Sequence, residues 1–206
     1  PRYPYLMKKI VMVAAPVHPV PPRKGAAVEW WMYQVCRRLA GFEPHIVCIA
    51  ADDYSDEEQR DGIFFHRIRM GRLYKRLFQK ITRLDPCSYA RRVARRLAAI
   101  RPDLVHVHNA PALFAEIARH YRGSARLILH MHNEMPIERL PPGAVLFVVS
   151  RYLKDWYTAR LPGADIRIIT NGVDTNTFRP LPPEEITDLR ARLKLPEDRK
   201  IVLYAG

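Results

Sequence analysis

The chain has 206 residues, 48% of them hydrophobic, and a formal net charge of +13; that suffices for one substantial core, a single domain plus a short extension. No run of about 18 apolar residues occurs, which excludes a membrane-spanning helix in this stretch. Cys36, Cys48 and Cys87 are widely spaced and match neither a zinc motif nor a disulfide framework, so a reducing cytoplasmic setting is expected.

In chain order, Pro1 to Leu6 lacks the apolar core of a signal peptide, and residues 1–8 are expected to be disordered or expression-derived. Lys9 to Ala14 (KIVMVA) is a short apolar run ended by Pro16 and reads as a first buried parallel strand. A Pro-rich loop ends at Gly25. Ala26 to Ala40 then has helical spacing, with Val28, Trp31, Met32, Val35 and Leu39 toward a core. His45 to Ala50 is a second strand, Asp52 to Arg60 an acidic polar loop, and Gly62 to Ile68 a third strand.

From Arg67 to Arg101 there are twelve Lys or Arg and one acid, Asp85. This basic region reads as two helices divided near Asp85-Pro86, because proline disfavours helix in the residue before it. In the first, Leu73, Leu77, Ile81 and Leu84 share one face and Arg72, Lys75, Arg76, Lys80 and Arg83 the other. Such a helix suits an anionic membrane surface; the alternative is that its apolar face packs on the sheet and the charges are solvated. No recognition module or aromatic-interleaved basic motif accompanies the charge, so nucleic acid is not an expected partner.

Leu104 to His108 is a strand, Ala112 to Tyr121 a helix, Arg126 to His132 a strand. Val145 to Val149 and Ile166 to Ile169 add two more, separated by a helix from about Tyr152 to Arg160. Alternating strands and helices, with no hairpin signal read between them, predict an α/β fold: a doubly wound, mostly parallel, Rossmann-like sheet of about seven strands. Pro182-Pro183 opens a polar helix to about Lys194, and Ile201 to Gly206 begins a further strand. The expected domains are therefore 9–180, the Rossmann-like body, and 181–206, a crossover helix and the first strand of another domain.

The chemistry-bearing residues cluster at strand ends. Gly25 lies where the first strand hands over to a helix, whose free N–H groups and dipole suit a phosphate; plain turn chemistry is the alternative. His106 and His108 alternate on one strand and His130 and His132 on another, so each pair points to one face. A metal reading would gather these four imidazoles, but no Asp or Glu cluster completes the set and only Glu134 is near, so no metal is expected. His106 and His130 fall mid-strand and are expected to be buried and hydrogen-bonded; His108 and His132 fall at carboxyl ends, where ligands of open α/β sheets lie. Ser150 is placed to cap the next helix, and Arg151 to face an anion. After the apolar run Ile166 to Ile169, read as a buried strand, Asn171-Gly172 reads as a tight turn needing positive φ.

Asn171-Gly172-Val173-Asp174-Thr175-Asn176-Thr177-Phe178-Arg179-Pro180 resembles the interdomain crossover of family 4 type retaining glycosyltransferases, which have the two-domain GT-B fold. The resemblance covers nearly the whole chain and one half of such an enzyme, the acceptor-side domain, with the His-Asn-acid form at His132 to Glu134 resembling the spore-coat branch. It implies sugar transfer from a nucleotide-sugar, as co-substrate rather than cofactor, to a saccharide or lipid-linked glycan with retention of configuration. It further implies that the chain is inactive or nearly so without the donor domain, and that the enzyme is cytoplasmic or peripheral on the inner membrane face. By this match His132 is the catalytic residue, contacting the donor sugar near its reacting carbon. Gly25 and Ala26, where alanine replaces the family's second glycine, and Asn171 and Gly172 would contact the donor phosphate or the acceptor. His108, Asn133, Glu134 and Arg151 would shape the acceptor pocket, while Asp174 and Phe178 would close the crossover. Two other classes stay open: a membrane-docking or binding module without catalysis, and a His-based metal-dependent hydrolase.

Overall fold

A computed structural model describes residues 7–71, 87–138 and 140–203. Arg72, Lys75, Arg76, Lys80 and Arg83, the membrane-facing candidates, lie outside the described residues. The chain divides between Thr170 and Asn171 into two compact units.

The first unit is one eight-stranded sheet, β1 (Lys8–Val13), β2 (Phe42–Ile49), β3 (Glu57–Arg60), β4 (Ile63–Ile68), β5 (Leu104–His108), β6 (Arg126–Met131), β7 (Val145–Val148) and β8 (Asp165–Ile168). Their order is β3-β4-β2-β1-β5-β6-β7-β8. All pairs are parallel except β3 with β4. The order reverses direction between β1 and β5, so a crevice is expected outside the carboxyl ends of those strands. Four helices lie among the described residues of this unit: α1 (Ala27–Cys36), α2 (Tyr89–Ile100), α3 (Pro111–His120) and α4 (Arg151–Thr158).

Strand alternation divides the core in two. Val11, Val13, Val47, Val105, Val107, Leu129, Met131, Leu146 and Val148 face α2, α3 and α4, meeting Val93, Leu97, Phe114, Ile117, Leu153 and Tyr157. Met12, Ala14, Ile46, Cys48, Ile63 and Phe65 face the other way, onto Met32, Tyr33 and Cys36 of α1. Each fully buried aliphatic or aromatic side chain contributes about 1.5–3 kcal/mol relative to exposure, so these runs drive the assembly. Trp31, Val28, Val35 and Leu39 pack against this second core from partly buried positions, and α1 ends at Cys36, short of the expected Ala40. In α2 the buried Tyr89, Ala90, Val93, Ala94, Leu97 and Ile100 keep helical spacing while Ser88 caps the start, accepting the Arg91 N–H at 3.3 Å.

Three expectations are corrected. The stretch read as polar loop contains β3, whose Asp61 and Gly62 both have positive φ and join it to β4 as a two-residue hairpin. Glu58 of β3 meets the buried guanidinium of Arg67 at 2.7 Å and Glu57 meets His66 at 2.7 Å, so charge pairing holds this polar edge strand. β8 is half-exposed rather than buried: only Ile166 is covered, because the strand is the sheet's other edge. Neither Asn171 nor Gly172 has positive φ; the turn comes later, at 175–177, where the Asp174 carboxylate accepts the Asn176 N–H at 3.1 Å and its carbonyl accepts the Phe178 N–H at 2.8 Å.

The second unit contains α5 (Pro183–Arg192), with Glu184 and Glu185 in its first turn and Arg190 and Arg192 in its last, the order that complements the helix dipole. Phe178 is 71% exposed. Residues 201–203 form no strand.

Candidate functional site

Where β5 and β6 end, four imidazoles meet. His106 and His108 leave β5, and His130 leaves β6, on the face opposite the aliphatic core, with His108 and His130 directly paired across the strands. His132 follows one residue after β6. Ring centroids are 4.3 Å apart for His106 and His108, 5.0 Å for His106 and His130, and 4.5 Å for His130 and His132. One side chain from α1, Trp31, touches all four, at centroid distances from 5.1 to 6.4 Å. Phe147 of β7 sets its edge against His106 and His130.

His106, His108 and His130 are buried, and His132 is half-buried at the rim. Burial, the largest cause, pushes His106 down to about 3, His130 to about 2 and His132 to about 4, and holds His108 well below its ordinary value. All four are neutral at pH 7, each with one donor and one acceptor nitrogen. His108 Nδ1 lies 3.4 Å from His132 Nε2. His106 Nε2, His108 Nε2 and both nitrogens of His130 have no partner among the described residues. The sequence expectation that His106 and His130 are hydrogen-bonded is thus corrected: among the described residues their neighbours at that depth are apolar side chains, Phe147 and Trp31 among them, and other imidazoles. An unmade hydrogen bond at a buried polar atom costs about 1–3 kcal/mol.

His132 is placed by its backbone. Asn109, in the left-handed region at φ 49, donates its N–H to the His130 carbonyl at 2.8 Å, and its side-chain oxygen accepts the His132 N–H at 3.2 Å. The loop beyond is fastened by the buried Tyr157: its hydroxyl donates toward the Asn133 and Met135 carbonyls at 3.1 and 3.2 Å and accepts the Met135 N–H at 3.1 Å. Asn133 and Glu134 are exposed, and Glu134 accepts a hydrogen bond from the Tyr152 hydroxyl. Ser150 caps α4, accepting the Leu153 N–H at 3.2 Å, while Arg151 beside it is exposed.

Gly25 and Ala26 both have φ +56, and no side chain caps α1 after them. A Cβ at Gly25 would meet nothing within 4 Å. The first N–H groups of α1 are open to a ligand, and an alanine in the left-handed region costs about 1 kcal/mol. The structure thus brings His108, His132, Asn133 and Glu134 together, joins Arg151 to them through its neighbour Tyr152, and ties α1 to the same place through Trp31. Asn171 and Gly172 belong to the second unit, where both are exposed. Trp31, Asn109 and Tyr157 were missed as site residues; of these, only Asn109 carried a sequence signal, an Asn at a strand's carboxyl end. A separate pocket of about 560 Å³, lined by Arg126, Pro141, Arg160 and Asp165 among others, opens at the amino ends of β6, β7 and β8, the wrong end of the sheet for chemistry.

The profile of glycosyltransferase family 4 matches residues 28–177. The chain belongs to that family. It is 36% identical over 205 residues to lipopolysaccharide 1,2-N-acetylglucosaminetransferase of Salmonella typhimurium, covering 98% of this chain and 52% of that protein. To spore coat protein SA of Bacillus subtilis it is 27% identical over 215 residues, covering 96% of this chain and 52% of that one. The chain therefore spans about half the length of the curated relatives it matches. Sucrose-phosphate synthase from Thermosynechococcus elongatus has the same fold over 97% of this chain and 55% of its own, with TM-score 0.67 and 17% identity. A glycosyltransferase from Rickettsia africae matches over 94% and 51%, with TM-score 0.62 and 19% identity. The fold is that of a GT-B half-domain. Among the described residues no helix is long and apolar enough to cross a membrane.

Proposed function

We propose that this chain is the acceptor-side domain of a retaining glycosyltransferase, which moves a sugar from a nucleotide-sugar to a glycan or lipid-linked glycan once a donor domain is joined to it. The observation that carries the reading is the rim of the β5–β6 edge, where His132 is held by Asn109 and His108 beside α1, in a chain of glycosyltransferase family 4. A neutral His132 donates or accepts one hydrogen bond to the sugar without bringing a net charge. Its role is to fix the donor sugar and steady charge developing at the reacting carbon. Asn133, Glu134, Arg151 and His108 line the acceptor side; Gly25 and Ala26 offer backbone N–H groups to phosphate. Asn171 and Gly172 of the crossover are proposed, from the family resemblance of the segment after Thr170, to contact the donor phosphate or the acceptor.

The Salmonella relative is an N-acetylglucosaminetransferase of lipopolysaccharide by its name, so nucleotide-linked N-acetylglucosamine is the first donor to test and a lipopolysaccharide core the first acceptor. Family membership favours transfer over metal-dependent hydrolysis. A cytoplasmic enzyme resting on an anionic membrane face through Arg72, Lys75, Arg76, Lys80 and Arg83 completes the proposal, supported by the charge of 67–101.

The test is a sugar-transfer screen on the 206-residue chain beside the same chain extended through a complete second domain. Transfer by the extended form alone is expected. Robust transfer by the shorter chain overturns the half-enzyme reading. Silence in both, with sedimentation on anionic vesicles, replaces it with a docking module.

A further inference from the structure

We propose that His106, His108 and His130 bind a zinc ion, behind the proposed sugar site and beyond anything glycosyl transfer requires. One nitrogen from each ring can be chosen so that all lie within 4.8 Å of one another. The three side chains are 6%, 1% and 0% exposed, and each carries at least one buried ring nitrogen without a partner among the described residues: His106 Nε2, His108 Nε2 and both nitrogens of His130. Buried imidazole nitrogens elsewhere in this chain are satisfied; His45, equally buried, bonds through both of its own. Three neighbouring rings, each with an orphaned nitrogen, describe a ligand set more economically than three separate losses.

The geometry needs little adjustment. Even if all three separations were the 4.8 Å maximum, the centre would lie about 2.8 Å from each nitrogen, so ring rotations moving each atom by under about 1 Å reach the Zn–N length of about 2.0–2.1 Å. Imidazole is a borderline ligand suited to zinc, and three of them leave a fourth, tetrahedral position for water or a small anion. Among the described residues no thiolate or carboxylate joins the set, and the rings bind in the neutral form they already hold.

His108 links the ion to His132. With Nε2 on zinc, His108 carries its proton on Nδ1 and donates it to His132 Nε2, 3.4 Å away. A metal ligand whose other ring nitrogen is hydrogen-bonded is oriented and fixed in one tautomer, and here the bond also fixes His132. His108 is thus a positioning residue for the rim.

The experiment uses the untagged 206-residue chain, stripped with chelator, incubated with equimolar zinc, desalted and assayed by atomic emission. About one zinc per chain is expected, with affinity falling by about tenfold or more in His106→Gln/His130→Gln and unchanged in the control His18→Ala, which is exposed. A zinc-free parent overturns the proposal, as does a folded double variant that keeps its zinc. Should the double variant lose its circular dichroism signal, cobalt loading of the parent decides. Intense visible bands of tetrahedral cobalt with nitrogen ligands support the site; the pale spectrum of six-coordinate cobalt overturns it. None of these readouts depends on sugar transfer.

Discussion

On the β2–β4 side of the sheet, His45 and His66 stand between two carboxylates: Glu43 to His45 at 2.8 Å, His45 to His66 at 3.0 Å, His66 to Glu57 at 2.7 Å. On the β5–β6 side, His106, His108 and His130 are buried as deeply or more, with no carboxylate and four unpartnered nitrogens. The first group is closed: every ring nitrogen has a partner, and the chain runs out to an exposed Glu57 that also meets Arg96 of α2. The second is open in the sense of unsatisfied, and it lies toward the carboxyl ends of β5 and β6, the end of an α/β sheet where ligands bind. A structural histidine is recognised by its satisfied bonds.

The largest expected break between the two groups is in acid. Folded-state values near 3, 2 and 4 for His106, His130 and His132 lie below the ordinary 6.5, so the unfolded chain takes up protons below about pH 6.5 while the metal-free folded chain does not. Stability is full above that pH and is lost as pH falls toward the folded values, by up to about 1.4 kcal/mol per pH unit for each such histidine. Urea unfolding at pH 7, 6 and 5 reads this slope; His106→Leu/His130→Leu should flatten it. An unchanged slope in that variant would mean that the open group does not set it.

Next in size is Tyr157→Phe, which strips the 133–135 loop of its three hydrogen bonds and should cost about 1–3 kcal/mol, with faster amide exchange at Met135. Then comes the direct contrast: His45→Leu leaves Glu43 and His66 without their partner and should destabilise by about 1–2 kcal/mol, whereas His106→Leu removes an orphaned Nε2 and should be neutral or stabilising in the metal-free chain. Equal losses would erase the distinction. Smallest is Ala26→Gly, which relieves a left-handed alanine and should raise stability by no more than about 1 kcal/mol in thermal unfolding.

Much of this arrangement was legible from residue order. The apolar runs at Ile10 to Val13 and Val105 to Val107 mark buried parallel strands, and the i, i+2 spacing of the histidines put each pair on one face. What the pattern could not carry was partnership. Glu57 to Arg60 is a strand with no apolar face, held by ion pairs that periodicity does not register, although Asp61-Gly62 was a readable hairpin signal. Ile166 to Ile169 looks like a central strand but ends the sheet, since an apolar run says what a strand prefers and not what lies beside it. Trp31 reads as one more core position on α1; that its ring meets four imidazoles follows only from the pairing of β1 with β5, which brings the helix of the β1–β2 connection beside the ends of β5 and β6.

The central claim is that the rim of the open group performs the transfer, and the most direct measurement compares His132→Ala with its parent in the protein carrying both domains. The account predicts a fall in kcat of about 100-fold or more with KM little changed, the mark of a contact made chiefly in the transition state. An unchanged kcat would contradict it and remove His132 from the chemistry.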